Sequence, residues 1–329
     1  MTPAPPHRRS PAIGATAVLT GAFLFGLNGS MSKVVMQAGV TPEQLTLFRV
    51  LGTAIIAGTV LLATDRSQFH LPRRDLAWFA ALGIGGLAMV QWCYSVAISL
   101  LPVGVALLFE YTAVVLIALF AWAVFKERVH PRLWGAIAAV LIGLAVVAQV
   151  WDSALSGMGV LAGLGAAVSY AFYFLVGERS VAGRPPMAVA FWAAAFASAF
   201  WLLLSRWWTL SPGALTADVA FGGSLDHVTA PMWVPVALIV VLGGFAPFTL
   251  IFISLRHISA TASGILASSE VLFAFVVAWW WLGETLAPVQ LVGAAIVIVG
   301  IVVAQTARER AREGPAPEGF GAGVPPEIP

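Results

Sequence analysis

From residue 12 to residue 305 the chain is a succession of apolar runs, each about as long as a bilayer is thick. Hydrocarbon offers no hydrogen-bond partners, so a run that crosses it must satisfy its own backbone, and a helix does so. Crossing roughly 30 Å takes about 20 residues. Ten runs meet that length: 12–36, 43–63, 75–97, 103–125, 132–150, 157–177, 186–205, 231–254, 260–282 and 287–305. With 60% hydrophobic and only 10% charged residues, the chain is far from the soluble average of about a quarter charged. The first run is too long for the core of a signal peptide and no cleavage site follows it, so it is read as a retained helix. Cys93, the single cysteine, lies inside an apolar run, which excludes a disulfide framework.

Two stretches repeat one another 157 residues apart, Ala113–Gln149 and Glu270–Gln305. Each is an apolar helix, a turn holding Glu-x-x-x-Pro (Glu127 to Pro131, Glu284 to Pro288), and a small-residue-rich helix ending Val-Val-Ala-Gln. The first turn carries Lys126, Arg128 and Arg132, whereas the second carries no base. Opposite charge on one repeated unit is the mark of a unit inserted twice in opposite senses. The duplication divides the chain into a short N-terminus (1–11), two five-helix repeats (12–150 and 157–305) and a tail (306–329). The tail's Gly/Pro-rich end lacks the apolar residues to form a core and is expected to be disordered.

The bases orient the whole. Taking the N-terminus, alternate loops and the tail as one side collects fourteen of the seventeen Lys and Arg residues; the opposite loops hold Arg206 alone. The excess places both termini in the cytoplasm. It also explains the net charge of +2 as topology rather than an affinity for nucleic acid.

These features identify a resemblance. The segments LLFEYTA…FKERVHP (from Leu107) and SSEVLFAFVVAWWWLGETLAP (from Ser268), with GLNGSMSK (from Gly26) and FRV (from Phe48), resemble the EamA family of the drug/metabolite transporter superfamily. The likeness extends over about residues 12 to 305. It implies a ten-helix permease of the cytoplasmic membrane, with two inverted repeats. A glutamate in the Leu-Glu-Tyr-Thr region of the fourth span further implies export of amino acids or related metabolites. One departure stands out: Val114 and Val271 occupy sites where the family usually has proline.

Ionisable groups inside a bilayer cost several kcal/mol unless paired or wet, so each one asks for a reason. Arg49 and Glu110 lie about six and seven residues from the outer ends of their spans, roughly 9–11 Å deep at 1.5 Å per residue. Matched depth suggests either a structural ion pair or a site where Glu110 meets a substrate amine or a proton and Arg49 a carboxylate. Glu270 falls near the midplane after the small residues Ala267, Ser268 and Ser269. It reads as a site between the repeats or as a carboxyl bonded to the helix opposite. Lys33, near an outer end, is expected to snorkel.

Gly26-Leu27-Asn28-Gly29-Ser30 offers a patch that either loosens the first helix around Asn28 or packs closely through its small residues. Gln91 and Ser95 share one face of the third span. With Tyr94, Tyr170, Tyr173 and Trp192, Gln91 supplies the makings of an amphipathic cavity. Trp207, Trp208 and Trp279 to Trp281 are expected to be packing or interfacial residues. The seams at Gly135, Ala139 and Gly143 and at Gly293 to Gly300 are expected to serve helix contact or a homodimer. Glu127 and Glu284 are expected to cap helix N-termini.

No Walker loop, metal-spaced His/Cys cluster or nucleophile constellation is present, so the sequence points to neither an enzyme nor a cofactor. The reading is a secondary transporter of small molecules, driven by a gradient that includes protons as a candidate. Its alternatives are a drug or quaternary-ammonium exporter, which aromatic walls and two glutamates also suit, and a non-transporting membrane protein or a channel, the latter needing a continuous polar lining.

Overall fold

Helix starts in this chain are marked by a hydroxyl residue or a proline, and the structure, a computed structural model, uses both. It describes residues 10–101, 103–123, 131–148, 151, 156–282 and 287–312. Helix α1 (Pro11–Gln37) opens with Pro11 in its first turn, and α2 (Pro42–Thr64) opens on a capping box. There Gln44 N–H donates to Thr41 Oγ1 (3.3 Å) while Thr41 N–H donates to Gln44 Oε1 (3.1 Å), satisfying two orphan donors. Helix α3 (Arg73–Ala81) widens into a π-helical stretch, Leu82–Ala88, and continues as α4 (Met89–Leu100). Helices α5 (Val103–Tyr111), α6 (Ala113–Ala123) and α7 (Pro131–Ala148) complete the first half.

The second half follows the same order with α8 (Gly157–Gly183) and α9 (Pro186–Leu204). A hairpin of β1 (Asp218–Ala220) and β2 (Thr229–Pro231) follows, with Asp218 opposite Pro231. Then come α10 (Trp233–Leu238), a π-helical stretch Ile239–Phe245, α11 (Ala246–His257), α12 (Ala260–Ala267), α13 (Glu270–Val277) and α14 (Pro288–Arg312). Among the described residues, seven continuous helical runs are long and apolar enough to cross a membrane, and three shorter apolar helices lie at Val105–Phe120, Trp134–Gly143 and Leu291–Gly300. Each falls on one of the apolar runs read from the sequence.

Three local features differ from expectation. The first helix is not loosened at Asn28: α1 runs unbroken, and Gly26 lets it lie against the backbone at Phe273–Ala274. The breaks occur in the fourth and ninth runs, where side-chain hydroxyls compete with the helical ladder. Thr112 Oγ1 donates to Phe109 O (2.6 Å), and Ser268 and Ser269 donate back to Ile265 O (2.6 Å) and Leu266 O (2.7 Å). Both helices are interrupted just ahead of Val114 and Val271, without proline. Finally, α14 continues to Arg312, past the expected end at 305; Arg and Glu are good helix formers, and a helix need not stop where hydrocarbon ends. The Glu127 and Glu284 turns and residues 313–329 lie outside the described residues.

The halves pack as exchangeable copies. Helix α1 packs on α11 as α8 packs on α4, and α2 meets the Ile239–Phe245 stretch as α9 meets Leu82–Ala88. Helix α1 also touches α12 and α13 as α8 touches α5 and α6, while α2 packs on α9 and α7 on α14. That pattern is what a pseudo-two-fold axis produces. The α7–α14 contact uses the expected seams: a Cβ on Gly143 would lie 2.8 Å from Val297 N, and one on Gly300 3.0 Å from Ala136 O. Gly135 faces open space. One continuous core, including Leu47, Leu87, Tyr111, Ile117, Phe174 and Phe252, joins both halves. A second apolar cluster of Val35, Val40, Leu45, Met232 and Ile239, joined by Leu210, Leu215 and Val219, folds the 205–232 connection over the ends of α1, α2 and α10. The sequence reading held no strand there, because three-residue strands leave no alternating pattern to detect.

Candidate functional site

Arg49 is the most deeply buried cation of the described chain, 2% exposed on α2. Its Nη2 donates to Ser32 Oγ (3.0 Å), and Ser32 Oγ donates in turn to Asn28 Oδ1 (3.2 Å), one helical turn back on α1. Asn28 is wedged against the Ile239–Phe245 stretch at Gly243, where a Cβ would collide with the asparagine amide. Only glycine admits this approach, so the chain from Asn28 through Ser32 to Arg49 is held by backbone from the other half. Arg49 Nε has no hydrogen-bond partner among the described residues.

Glu110 (8% exposed) comes from the last turn of α5, next to the Thr112 break, and Glu270 (7% exposed) is the first residue of α13. Both helix interruptions thus set a carboxyl in the cavity that Arg49 lines. The Tyr111 hydroxyl lies 2.6 Å from Glu270 Oε2 and 2.7 Å from Ala267 O. Having one proton, it donates to one of them at a time. This contact links the first half to the second.

These groups face one cavity of about 330 Å³ of atom-free space, part of it continuous with solvent. Its polar lining is Asn28, Arg49, Gln91, Tyr94, Glu110, Tyr170 and Glu270; Phe25, Val90 and Phe248 supply apolar wall. Gln91 is 2% exposed, and neither Oε1 nor Nε2 of its amide has a partner among the described residues. Seven of the nine residues singled out from the sequence therefore converge here.

Tyr173 and Trp192 do not line the cavity. Tyr173 is fully buried behind the wall, stacked on Tyr170 with ring centroids 6.4 Å apart and donating to Phe248 O (3.1 Å). Its place three residues after Tyr170 puts it on the same side of α8 but one turn farther along. Trp192, at the opposite end of α9 from Trp201, donates to Gln68 O (3.0 Å) in the connection after α2. Of the other expected aromatics, Trp207, Trp208, Trp279 and Trp280 are exposed, while Trp281 is buried and donates to Gly222 O (3.2 Å) beside the hairpin. Lys33 is half-buried.

The matched depths of Arg49 and Glu110 do not become an ion pair. Ion pairs form instead outside the cavity, at Arg74–Asp75 and Arg184–Asp75. Arg49 is held by Ser32 of α1, and all three ionisable groups, Arg49, Glu110 and Glu270, line the cavity. Sequence reasoning missed Ser32 and Tyr111. Ser32 stands four residues after Asn28, a spacing that places the two on one helix face. The Tyr111 contact joins residues 159 apart, and no local pattern announces it.

Chemically, the cavity lining combines a guanidinium whose Nε has no partner among the described residues with two carboxyls and aromatic walls. A molecule that carries both an anionic and a cationic group complements it.

Comparison with known proteins agrees with this architecture. The chain is 25% identical over 304 residues to an uncharacterized transporter, YwfM, of Bacillus subtilis, covering 91% of this chain and 96% of that protein. It is 27% identical over 270 residues to the threonine/homoserine exporter RhtA of Escherichia coli K12, covering 82% of each. An uncharacterized transporter of Archaeoglobus fulgidus is 26% identical over 300 residues, covering 88% of this chain and 96% of that one. A crystal structure 22% identical to the chain superposes on 90% of it and 98% of that chain with a TM-score of 0.68, a likeness of fold. The profile of the EamA-like transporter family matches twice, at residues 12–149 and 157–306, each match spanning one of the two halves that pack as copies. The chain is thus a multi-pass membrane transporter and belongs to the EamA-like transporter family.

Proposed function

We propose that the protein exports small amino acids across the cytoplasmic membrane as a gradient-driven transporter. One observation carries the reading: Arg49 and Glu110, both buried, line a single cavity without pairing with one another. A buried charge left unpaired is costly. A zwitterion, placing its carboxylate on Arg49 and its ammonium between Glu110 and Glu270, satisfies both sides at once. The family membership and the threonine/homoserine exporters among the relatives support the same substrate class.

The framework we infer for this activity has ten spans, with both termini in the cytoplasm and the halves inverted in the bilayer. The arginine and lysine distribution supports it. Rocking of one half against the other about the cavity would expose the site to each side in turn. Glu110 and Glu270 are the groups we assign to proton coupling, since they are carboxyls shared between the cavity and the interface of the halves.

A lipophilic or quaternary-ammonium cation is the second reading, favoured by Phe25, Tyr94, Tyr170 and Phe248 around the carboxyls. Arg49 weighs against it, because an unpaired guanidinium in the same cavity repels a cation.

The test is counterflow into proteoliposomes holding the purified full chain, preloaded with mixed amino acids and challenged with labelled ones at pH 6 and pH 8. Saturable exchange whose half-saturating concentration rises about 100-fold in Arg49→Ala supports the reading. Uptake of lipophilic cations in the absence of amino-acid exchange transfers the assignment to the second reading.

A further inference from the structure

The Gln91 amide has no protein partner among the described residues. Gln91 sits on α4, just beyond the Leu82–Ala88 π-helical stretch, and lines the cavity while being 2% exposed. Its backbone carbonyl accepts from Ser95 Oγ (2.8 Å), but neither amide atom has a partner among the described residues. A carboxamide carries an acceptor oxygen and a two-proton donor. Buried polar groups in folded proteins are almost always paired, so one left unpaired beside a cavity marks where a ligand's own polar group belongs.

The remaining lining narrows the ligand group. Arg49 offers donors to an anion, and Glu110 and Glu270 offer acceptors to a cation; Gln91 is neutral and offers both. The group that satisfies both functions of one amide is itself donor and acceptor: a hydroxyl or a carboxamide. A methyl group of the same size leaves the amide unpaired, and a charged group leaves half of it unused.

Resting on the amino-acid reading above, we propose that Gln91 forms a side-chain subsite that selects α-amino acids bearing a hydroxyl or carboxamide over apolar amino acids of equal shape. The main-chain charges bind at Arg49 and the glutamates, and the substrate side chain points toward α4.

Threonine and valine make the sharpest comparison, because they differ by a hydroxyl in place of a methyl. A site built to hydrogen-bond a substrate hydroxyl discriminates strongly against the analogue lacking it. Competition counterflow should show wild-type protein preferring threonine to valine by about tenfold or more. Gln91→Leu, close in volume and without the amide, should bring the ratio down to about one while valine exchange persists. Thermal unfolding of the full chain in detergent supplies an independent readout. Gln91→Leu removes a buried unpaired amide, so its substrate-free melting temperature should equal or exceed that of wild type. Its stabilisation by threonine should drop to that by valine.

An unchanged threonine-to-valine ratio in Gln91→Leu overturns the subsite and leaves amino-acid transport standing, as does a wild-type protein that exchanges both equally. Absence of exchange for every amino acid overturns the transport reading and the subsite with it. If Gln91→Leu unfolds, Gln91→Met, which also lacks the amide, takes its place in the same competition assay. A Met variant that keeps the wild-type ratio overturns the proposal.

Discussion

Arg49 illustrates how much one buried charge constrains. Its hydrogen-bond partner among the described residues is a neutral hydroxyl, so any anion that enters the cavity gains a charge-assisted bond. Arg49→Ala should weaken substrate affinity by about 100-fold, the scale of losing a desolvated charged partner, and Arg49→Lys should recover only part of it because an ammonium lacks the planar fork. Both are read as the concentration that half-saturates counterflow. Glu110→Gln keeps the shape of the carboxyl but cannot lose a proton. It should flatten the dependence of transport on pH between 6 and 8, and an unaltered pH profile would remove Glu110 from the coupling scheme. Tyr111 answers a different question. With Glu270 ionised, the Tyr111 proton serves Glu270 or Ala267, not both; with Glu270 protonated, the two oxygens near Tyr111 are satisfied together. Tyr111→Phe should therefore slow transport and shift its pH profile without changing the threonine-to-valine ratio, which separates the Tyr111 contact from the Gln91 subsite.

Elements carry their own expectations. The α7–α14 pair depends on close approach at Gly143 and Gly300. Gly143→Leu forces side-chain atoms into Val297 and the Gly293 backbone and should destabilise the fold by about 1–3 kcal/mol, as overpacking does elsewhere. Gly135→Leu, facing open space, should cost far less; equal melting temperatures for the two would contradict the packing. On the connection after α2, Asp65 receives hydrogen bonds from Ser67 Oγ (2.6 Å), Ser67 N (3.1 Å) and Gln68 Nε2 (2.9 Å). The Ser67 hydroxyl first, then Gln68, pulls its carboxyl below the ordinary aspartate value. A lowered value means that the turn is fully held above the ordinary aspartate range, near pH 4, and loosens only as pH falls below that range through the lowered value. Amide exchange at Ser67 and Gln68 should rise there while the helices remain protected.

The whole molecule joins two backbone copies with unlike side chains. Asn28, Arg49, Gln91 and Glu110 come from the first half, while the second half supplies Glu270 and two aromatic wall residues, Tyr170 and Phe248. A symmetric frame around an asymmetric lining suits a substrate with different groups at its two ends. Several hydrogen bonds tie the halves at the side that holds Asp75 and Arg184. Trp78 Nε1 donates to Ser180 Oγ (2.8 Å), Trp192 Nε1 to Gln68 O (3.0 Å) and Arg184 Nη2 to His70 O (3.3 Å). If the halves rock, that side must part. A cross-link between cysteines introduced at Trp78 and Ser180 should halt exchange, and reduction should restore it; unimpeded exchange in the linked protein would argue against rocking at this seam.

The legible part of this protein was what hydropathy and spacing encode. The apolar runs, the duplication and the buried ionisable residues all follow from the cost of placing polar groups in hydrocarbon, a cost each residue bears wherever its neighbours lie. Hence Asn28, Arg49, Gln91, Glu110 and Glu270 stood out along the chain before any contact was known. What required the tertiary structure was direction and partnership. Arg49 and Glu110 line one cavity, yet Ser32 on α1, not the carboxyl, takes the hydrogen bond of the guanidinium. Thr112, Ser268 and Ser269 break helices where valines stand at the expected proline sites, because hydroxyl back-bonding depends on rotamers rather than on residue type alone. Trp192 and Tyr173 have the composition of cavity walls but face elsewhere, for a residue's type sets what it costs to bury and only packing sets what it faces.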